Sequence, residues 1–376
     1  MLLRQLRIQD YTVGWVCALP VELAAATVML DEKHQSLPHD DNDHNLYTLG
    51  SIGKHNVVLA CLPAGQTGTN SAAAVATRMQ SSFPSLRIGL MVGIGGGVPS
   101  VEADIRLGDV VISQPHATYG GVVQYDLGKT GAGGRLAPTS FINMPPTVLL
   151  NAISELRSNR YLGQDTLSMH LSAFKGLAEF SRDRAGSDVL YEATYDHIGG
   201  PTCDGCGQDK TKKRTPRASQ EMVIHYGTIA SGNQVMKDGI TRDRLSAELG
   251  GVICFEMEAA GLMNSFPCLV IRGICDYADS HKNKKWQPYA AAAAAACAKE
   301  VLLLVPATET SKLHIEDETT RRNEGKSIHL IPASSFNQPL DLQHVSQNIT
   351  NRSVTVSRRG HPSIATFRST FGLFIQ

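Results

Sequence analysis

Residues 252–276 read VICFEMEAAGLMNSFPCLVIRGICD, and this stretch decides the fold. A short apolar run ends in Glu256-Met257-Glu258, a helical pattern follows over 258–265, and 268–274 is an apolar run of strand length broken only by Arg272 and Gly273. The same alternation continues on both sides. Upstream, 11–19 reads as a buried strand, 21–30 as a helix and 46–62 as two strands joined near Gly50 and Gly53. Thr69 can cap a helix over 69–83, and 88–94 is a short buried strand ending in Gly95-Gly96-Gly97. Further strands are expected at 109–113, 121–127 and 222–230, and helices at 146–157, 165–180 and 241–249. An alanine-rich helix follows from 289. Strands and helices in this order predict an α/β fold, a three-layer α/β/α sandwich on a central mixed, twisted sheet. We expect this domain to span 8–306. A polar, irregular insert interrupts it at about 181–218, and 307–376 reads as a polar, poorly ordered tail or linker.

Composition narrows the function. The 376 residues are 42% hydrophobic, enough for a substantial core. Lys+Arg and Asp+Glu balance at 35 each, so global charge points to neither nucleic acid nor a membrane surface, and an anionic ligand must be met by local charge. No window reaches the roughly 18 apolar residues of a membrane span, and residues 1–10 lack the apolar core of a secretory signal. Most of the eight cysteines lie in apolar runs, which fits buried thiols in a reducing, cytoplasmic setting.

Three features could carry chemistry. Glu256 and Glu258 flank Met257 where strand gives way to helix; we expect their side chains to diverge, so that one at most faces a cleft. Asp276 ends the apolar strand containing Arg272, at the edge where open α/β sheets bind ligands. Burial there favours the protonated carboxyl that a general acid needs. The glycines after 94 let backbone approach a ligand closely.

In this order the segments VGWVCALPVELAAA (13–26), VGIGGGVPSVEADIRLGDVVIS (92–113), GTIASGNQVMKDG (227–239), CFEMEAAGLM (254–263) and VIRGICDYAD (270–279) resemble the purine and uridine phosphorylase family. The similarity covers about 11–306 and is strongest to the methylthioadenosine/adenosylhomocysteine nucleosidase branch. It extends above all to fungal domains at the N-terminus of immune-receptor-like proteins, where WQPYAA (286–291) also occurs. The resemblance implies roles. Asp276 would protonate N7 of a purine. Glu258 would bind the ribose hydroxyls and support an oxocarbenium-like transition state. Met257 would pack on the ribose, and Glu22 would activate water. Gly95, Gly96, Asn233, Val235, Lys237 and Arg242 are the further candidates for substrate contact, with Arg272 as an orienting residue. It also implies a homo-oligomer, and neither cofactor nor metal.

Hydrolases and phosphorylases of this family share base and sugar sites and differ in the nucleophile. Phosphorylases of the hexameric type place an arginine and a serine around the central glycines, where this chain has Met91 and Ile94. Glu22 would repel phosphate yet could take a proton from water, so hydrolysis is expected, with phosphorolysis and a silent nucleoside-sensing module as alternatives. The resemblance to domains of immune-type receptors, which are similar to nucleosidases that attack adenine nucleotides, makes ATP or a related nucleotide the leading substrate, ahead of an unphosphorylated adenosine derivative. Lys237, Arg242 and Arg244 are compatible with it, as is the run Lys210, Lys212, Lys213, Arg214, Arg217, although that run reads slightly better as a solvated loop. Cys203 and Cys206 form one CxxC, whereas a structural zinc takes four ligands. His197 and His225 flank it at no recognised spacing, so a metal-free loop is expected.

Overall fold

Thirteen strands and eight helices follow one another in a computed structural model that describes residues 3–307, apart from 39–40, 132–135, 140, 165 and 218–220. The chain divides into Met1–Arg321 and Arg322–Gln376, and the second unit, with most of the expected tail, lies outside the described residues. The strands are β1 (Val13–Cys17), β2 (Glu32–Lys33), β3 (Tyr47–Ile52), β4 (His55–Cys61), β5 (Ile88–Gly97), β6 (Val110–Ser113), β7 (Val122–Gln124), β8 (Gly128–Thr130), β9 (Leu136–Pro138), β10 (Ile224–Gly227), β11 (Ile229–Ser231), β12 (Cys254–Glu256) and β13 (Cys268–Asp276). The helices are α1 (Pro20–Met29), α2 (Thr69–Ser82), α3 (Thr147–Tyr161), α4 (Leu167–Ser172), α5 (Arg182–Ala185), α6 (Gly239–Glu248), α7 (Ala259–Leu262) and α8 (Gln287–Leu304).

The central sheet is mixed, as expected. Its main path runs β10-β6-β13-β5-β1-β4-β3-β2, with β7, β11 and β12 branching from the end of β5, while β8 and β9 form a separate hairpin. β1 is parallel to β4 and β5, and β13 is parallel to β5 but antiparallel to β6. Alternation along the two central strands supplies both faces. Leu90 and Val92 of β5, with Leu269 and Ile271 of β13, join one core with α1, α3 and α8. Met91 and Val270 point the other way, into a core with α2 and α7.

Close backbone approach explains two glycines in these layers. A Cβ on Gly273 would lie 1.9 Å from the Ala290 carbonyl oxygen, so the alanine face of α8 can rest directly on β13. A Cβ on Gly261 would lie 1.9 Å from the Thr69 carbonyl oxygen, where α7 meets α2.

Three local expectations change. The glycines after residue 94 continue β5 to Gly97 instead of ending it, because β12 and β13 pair with them. The expected helix over 165–180 shortens to α4 and a 3-10 turn at Ala178–Phe180, with Gly176 at φ +90° between them. The strand expected over 222–230 divides at Thr228: β10 pairs with β6, whereas β11 joins β7 and β12.

Candidate active site

α1, β5, β12 and β13 meet at one edge of the sheet and bring four carboxylates, Glu22, Glu256, Glu258 and Asp276, to one cavity. Glu22 sits in the first turn of α1, after Pro20 has fixed the backbone for helix entry. Its Oε2 accepts from the backbone N–H groups of Ala18 (2.7 Å) and Leu19 (2.9 Å), and its Oε1 accepts from Ile94 N–H (2.8 Å). Burial pushes the Glu22 carboxyl up; the Arg272 charge and the three backbone donors pull the other way without cancelling it.

β12 ends in Glu256, and two residues later Glu258 precedes α7. Both line the cavity, which corrects the expected divergence: extended chain puts residues i and i+2 on one side. Their duties differ. Glu256 accepts from the N–H groups of Glu258 (3.1 Å) and Ala259 (3.1 Å) and pairs with the Arg272 guanidinium, so most of its acceptor capacity is consumed. Glu258 accepts from Gly68 N–H at 3.1 Å, and its Oε2 lies 3.5 Å from Arg272 Nη2. Burial, opposed by Arg272 and reinforced by Glu256 and Glu22, leaves the Glu258 carboxyl pushed up to about 7.

Asp276, at the end of β13, completes the set. Its Oδ1 accepts from Ala278 N–H (2.9 Å) and lies 3.2 Å from Lys282 Nζ, while the Cys275 thiol donates to Oδ2 at 3.2 Å. Burial would lower the Lys282 pKa, but Asp276 and Cys275 outweigh it and hold the ammonium charged.

Glycines make this convergence possible. A Cβ on Gly93 would fall 2.4 Å from Glu22 Oε1 and 2.7 Å from Arg272 Nη1, and one on Gly96 would fall 2.7 Å from Asp276 Oδ1. The glycine-rich end of β5 therefore leaves room for carboxylates.

The cavity has a volume of about 260 Å³, at the small end of small-molecule pockets. Glu22, Glu258, Asp276, Met257, Gly95, Gly96 and Val235 all line it. Arg272 is fully buried behind the carboxylates. Asn233 lies beside the site: its Oδ1 accepts from Thr69 N–H at 3.0 Å and steadies the turn whose Gly68 N–H meets Glu258.

The expected cationic cluster is not assembled here. Lys237 is exposed and outside the lining. Arg242 is 1% exposed, donates to the Tyr277 carbonyl at 2.7 Å and pairs with Asp243, so it holds loop structure. Arg214 and Arg217 pair with Asp188 and Asp109, each at 2.7 Å. The one cation among the described lining residues is Lys282, which sequence reading missed. Its signal was a lysine six residues beyond Asp276, visible only once the intervening loop folds back.

Known proteins bear on this arrangement. A family model described as the Phosphorylase superfamily matches residues 12–303. A nucleotide-binding leucine-rich repeat (NLR)-like protein of Hyaloscypha variabilis is 51% identical over 81% of this chain, a match that spans 30% of that protein. A 5'-methylthioadenosine/S-adenosylhomocysteine nucleosidase of Mycobacterium bovis is 29% identical over 78% of this chain and 97% of its own length. ATP nucleosidase Cap17 of Escherichia coli is 26% identical over 74% of this chain and 48% of its own. The chain thus spans less than a third of the NLR-like protein and about half of Cap17. With the family model matched from the first strand to the end of the last helix, this chain belongs to the phosphorylase superfamily.

Proposed function

We propose that this chain hydrolyses the N-glycosidic bond of an adenine nucleotide or nucleoside, releasing adenine. The observation that carries the reading is the Glu22 carboxylate. It takes the backbone donors of Ala18, Leu19 and Ile94, the kind of donor set a phosphate dianion would need. An anion built into the wall disfavours a second one and can instead orient and deprotonate water. Met91 is buried in the core and Ile94 lines the cavity, so neither side chain supplies a phosphate ligand.

The other roles follow from charge. As the glycosidic bond breaks, the sugar becomes cationic and the base anionic. Asp276, a carboxylate facing Lys282 in the free site, takes up a proton from solvent as substrate binds and passes it to N7, making adenine a neutral leaving group, a contribution of roughly 10²–10⁴ in rate. Glu258 accepts from the ribose hydroxyls and stabilises the sugar cation more than the ground state. Met257 covers the ribose.

ATP or a related nucleotide is our favoured substrate, supported by the similarity to Cap17 and by Lys282 in the lining. An unphosphorylated adenosine derivative is the second reading, because Lys282 is already engaged with Asp276 and much of the lining is apolar, including Leu19, Val235, Met236 and Phe255. Rates of adenine release from ATP, AMP, adenosine and methylthioadenosine separate them. The nucleotide reading requires ATP to have the highest kcat/KM; a preference for methylthioadenosine would replace it. Binding of all four without release of any base would instead favour a silent sensor.

A further inference from the structure

In the polar insert, the chain brings together a set of ligands that spacing alone did not reveal. His197, Cys203 and Cys206 place one imidazole nitrogen and two sulfurs within 4.8 Å of one another. His197 Nδ1 lies 3.2 Å from Cys206 Sγ. In a tetrahedral zinc site, bonds of about 2.0–2.3 Å put neighbouring N and S ligand atoms about 3.5–3.8 Å apart. A small contraction or expansion of this triangle would suit the ion.

The orientation of His197 also points to a metal. His197 Nε2 is 3.1 Å from the Gly200 carbonyl, which can only accept, so the ring proton resides on Nε2 and Nδ1 presents its lone pair beside the sulfurs. Metal-binding histidines are commonly oriented by such a bond. His281 lies beside this triangle without belonging to it: its Nδ1 is 3.8 Å from Asp279 Oδ1, and its ring centroid is 5.7 Å from that of His197. His225, the other histidine near the motif in sequence, is instead 2.9 Å from Asp109 and takes no part.

We propose that His197, Cys203 and Cys206 bind one zinc ion, with water in the fourth position, and that the ion pins the insert to the loop after Asp276. The contacts to that loop are already formed. His197 N–H donates to Ser280 Oγ (3.0 Å), Cys203 Sγ donates to the His281 carbonyl (3.7 Å), and the His281 ring stacks on Tyr191. The next residue, Lys282, is the partner of Asp276. The metal is structural and takes no part in the hydrolytic step. A metal-free loop is what the sequence leads one to expect; the site arises because the fold turns the flanking His197, and not His225, onto the CxxC pair.

The test uses the whole chain, kept reduced and purified without chelator. Elemental analysis should find about one zinc per chain, and cobalt(II) exchanged into the site should show thiolate charge-transfer absorption with tetrahedral visible bands. Cys203→Ser with Cys206→Ser should abolish both, whereas Cys61→Ser should keep them. Stripping zinc from wild-type protein should lower Tm, and adding it back should restore the loss. Absence of zinc after loading and desalting, or a Cys203–Cys206 disulfide in its place, would overturn the site. Metal retained by the double variant would overturn the ligand assignment, and an unchanged Tm on stripping would overturn the pinning role.

Discussion

Gly96 and Asp276 face each other across β5 and β13, so close that a Cβ on the glycine would lie 2.7 Å from the aspartate Oδ1 and 2.8 Å from the Ala278 Cβ. The register slips between Ile274 and Asp276 at this point, which turns the strand end toward the cavity. Gly96→Ala should therefore displace the carboxylate while leaving the distant core alone. We expect kcat to fall by about 10²-fold, as for other small misplacements of a reacting group, with Tm changed little. Steady-state kinetics beside thermal unfolding checks this, and unchanged kcat would remove the positional argument.

Asp276→Asn keeps an oxygen to accept from Ala278 N–H but has no carboxyl proton to give. Base release should drop by roughly 10²–10⁴-fold, with nucleoside binding retained. Full activity in this variant would sink the proton-donor role.

Glu258 gives a signed pH dependence. It acts as a carboxylate, and its pKa is raised to about 7, chiefly by burial, so kcat/KM should fall as pH drops through about 7. Glu22, also raised by burial, should steepen that limb. The stability effect runs the opposite way. A folded-state pKa above the unfolded value means that the group's contribution is fully present below about 4.5 and lost as pH rises through about 7. Glu258→Gln should thus be inactive yet stabilised relative to wild type by up to about 3 kcal/mol above pH 7, an advantage that vanishes near pH 4.5. A pH-independent stability difference would contradict this linkage.

Arg272 is fully buried and pairs with both Glu256 and Glu258. Arg272→Met removes the guanidinium from two buried carboxylates and should cost about 3–5 kcal/mol. Adding Glu256→Gln should recover part of that loss, with a coupling of about 1–3 kcal/mol in a double-mutant cycle. Additive losses would mean that the pair is not the source of the effect.

The fold was largely legible because its strands are long apolar runs and its helices periodic; β1, α1, α2, β13 and α8 fall close to their expected bounds. The glycines after Ile94 misled because flexibility in sequence reads as a turn, whereas Gly96 is small to admit Asp276, as Gly93 before Ile94 is to admit Glu22. Glu258 and Asp276 are marked in the sequence by their places at element ends, whereas Glu22 enters only through the family resemblance. Lys282 is marked by neither, because its position depends on a loop closing back on Asp276. In the sequence Arg242, Arg214 and Arg217 are only compatible with a phosphate-bearing substrate; buried or half-buried arginine pairs first with nearby carboxylates, and Asp243, Asp188 and Asp109 supply them.

The central claim is that water, activated at Glu22, replaces phosphate as the nucleophile. Adenine release from ATP in phosphate-free buffer made with ¹⁸O-labelled water tests it most directly. We predict that adenine accumulates without phosphate and that the ribose product carries the label at C1. Release that requires phosphate and yields a ribose 1-phosphate would contradict the account.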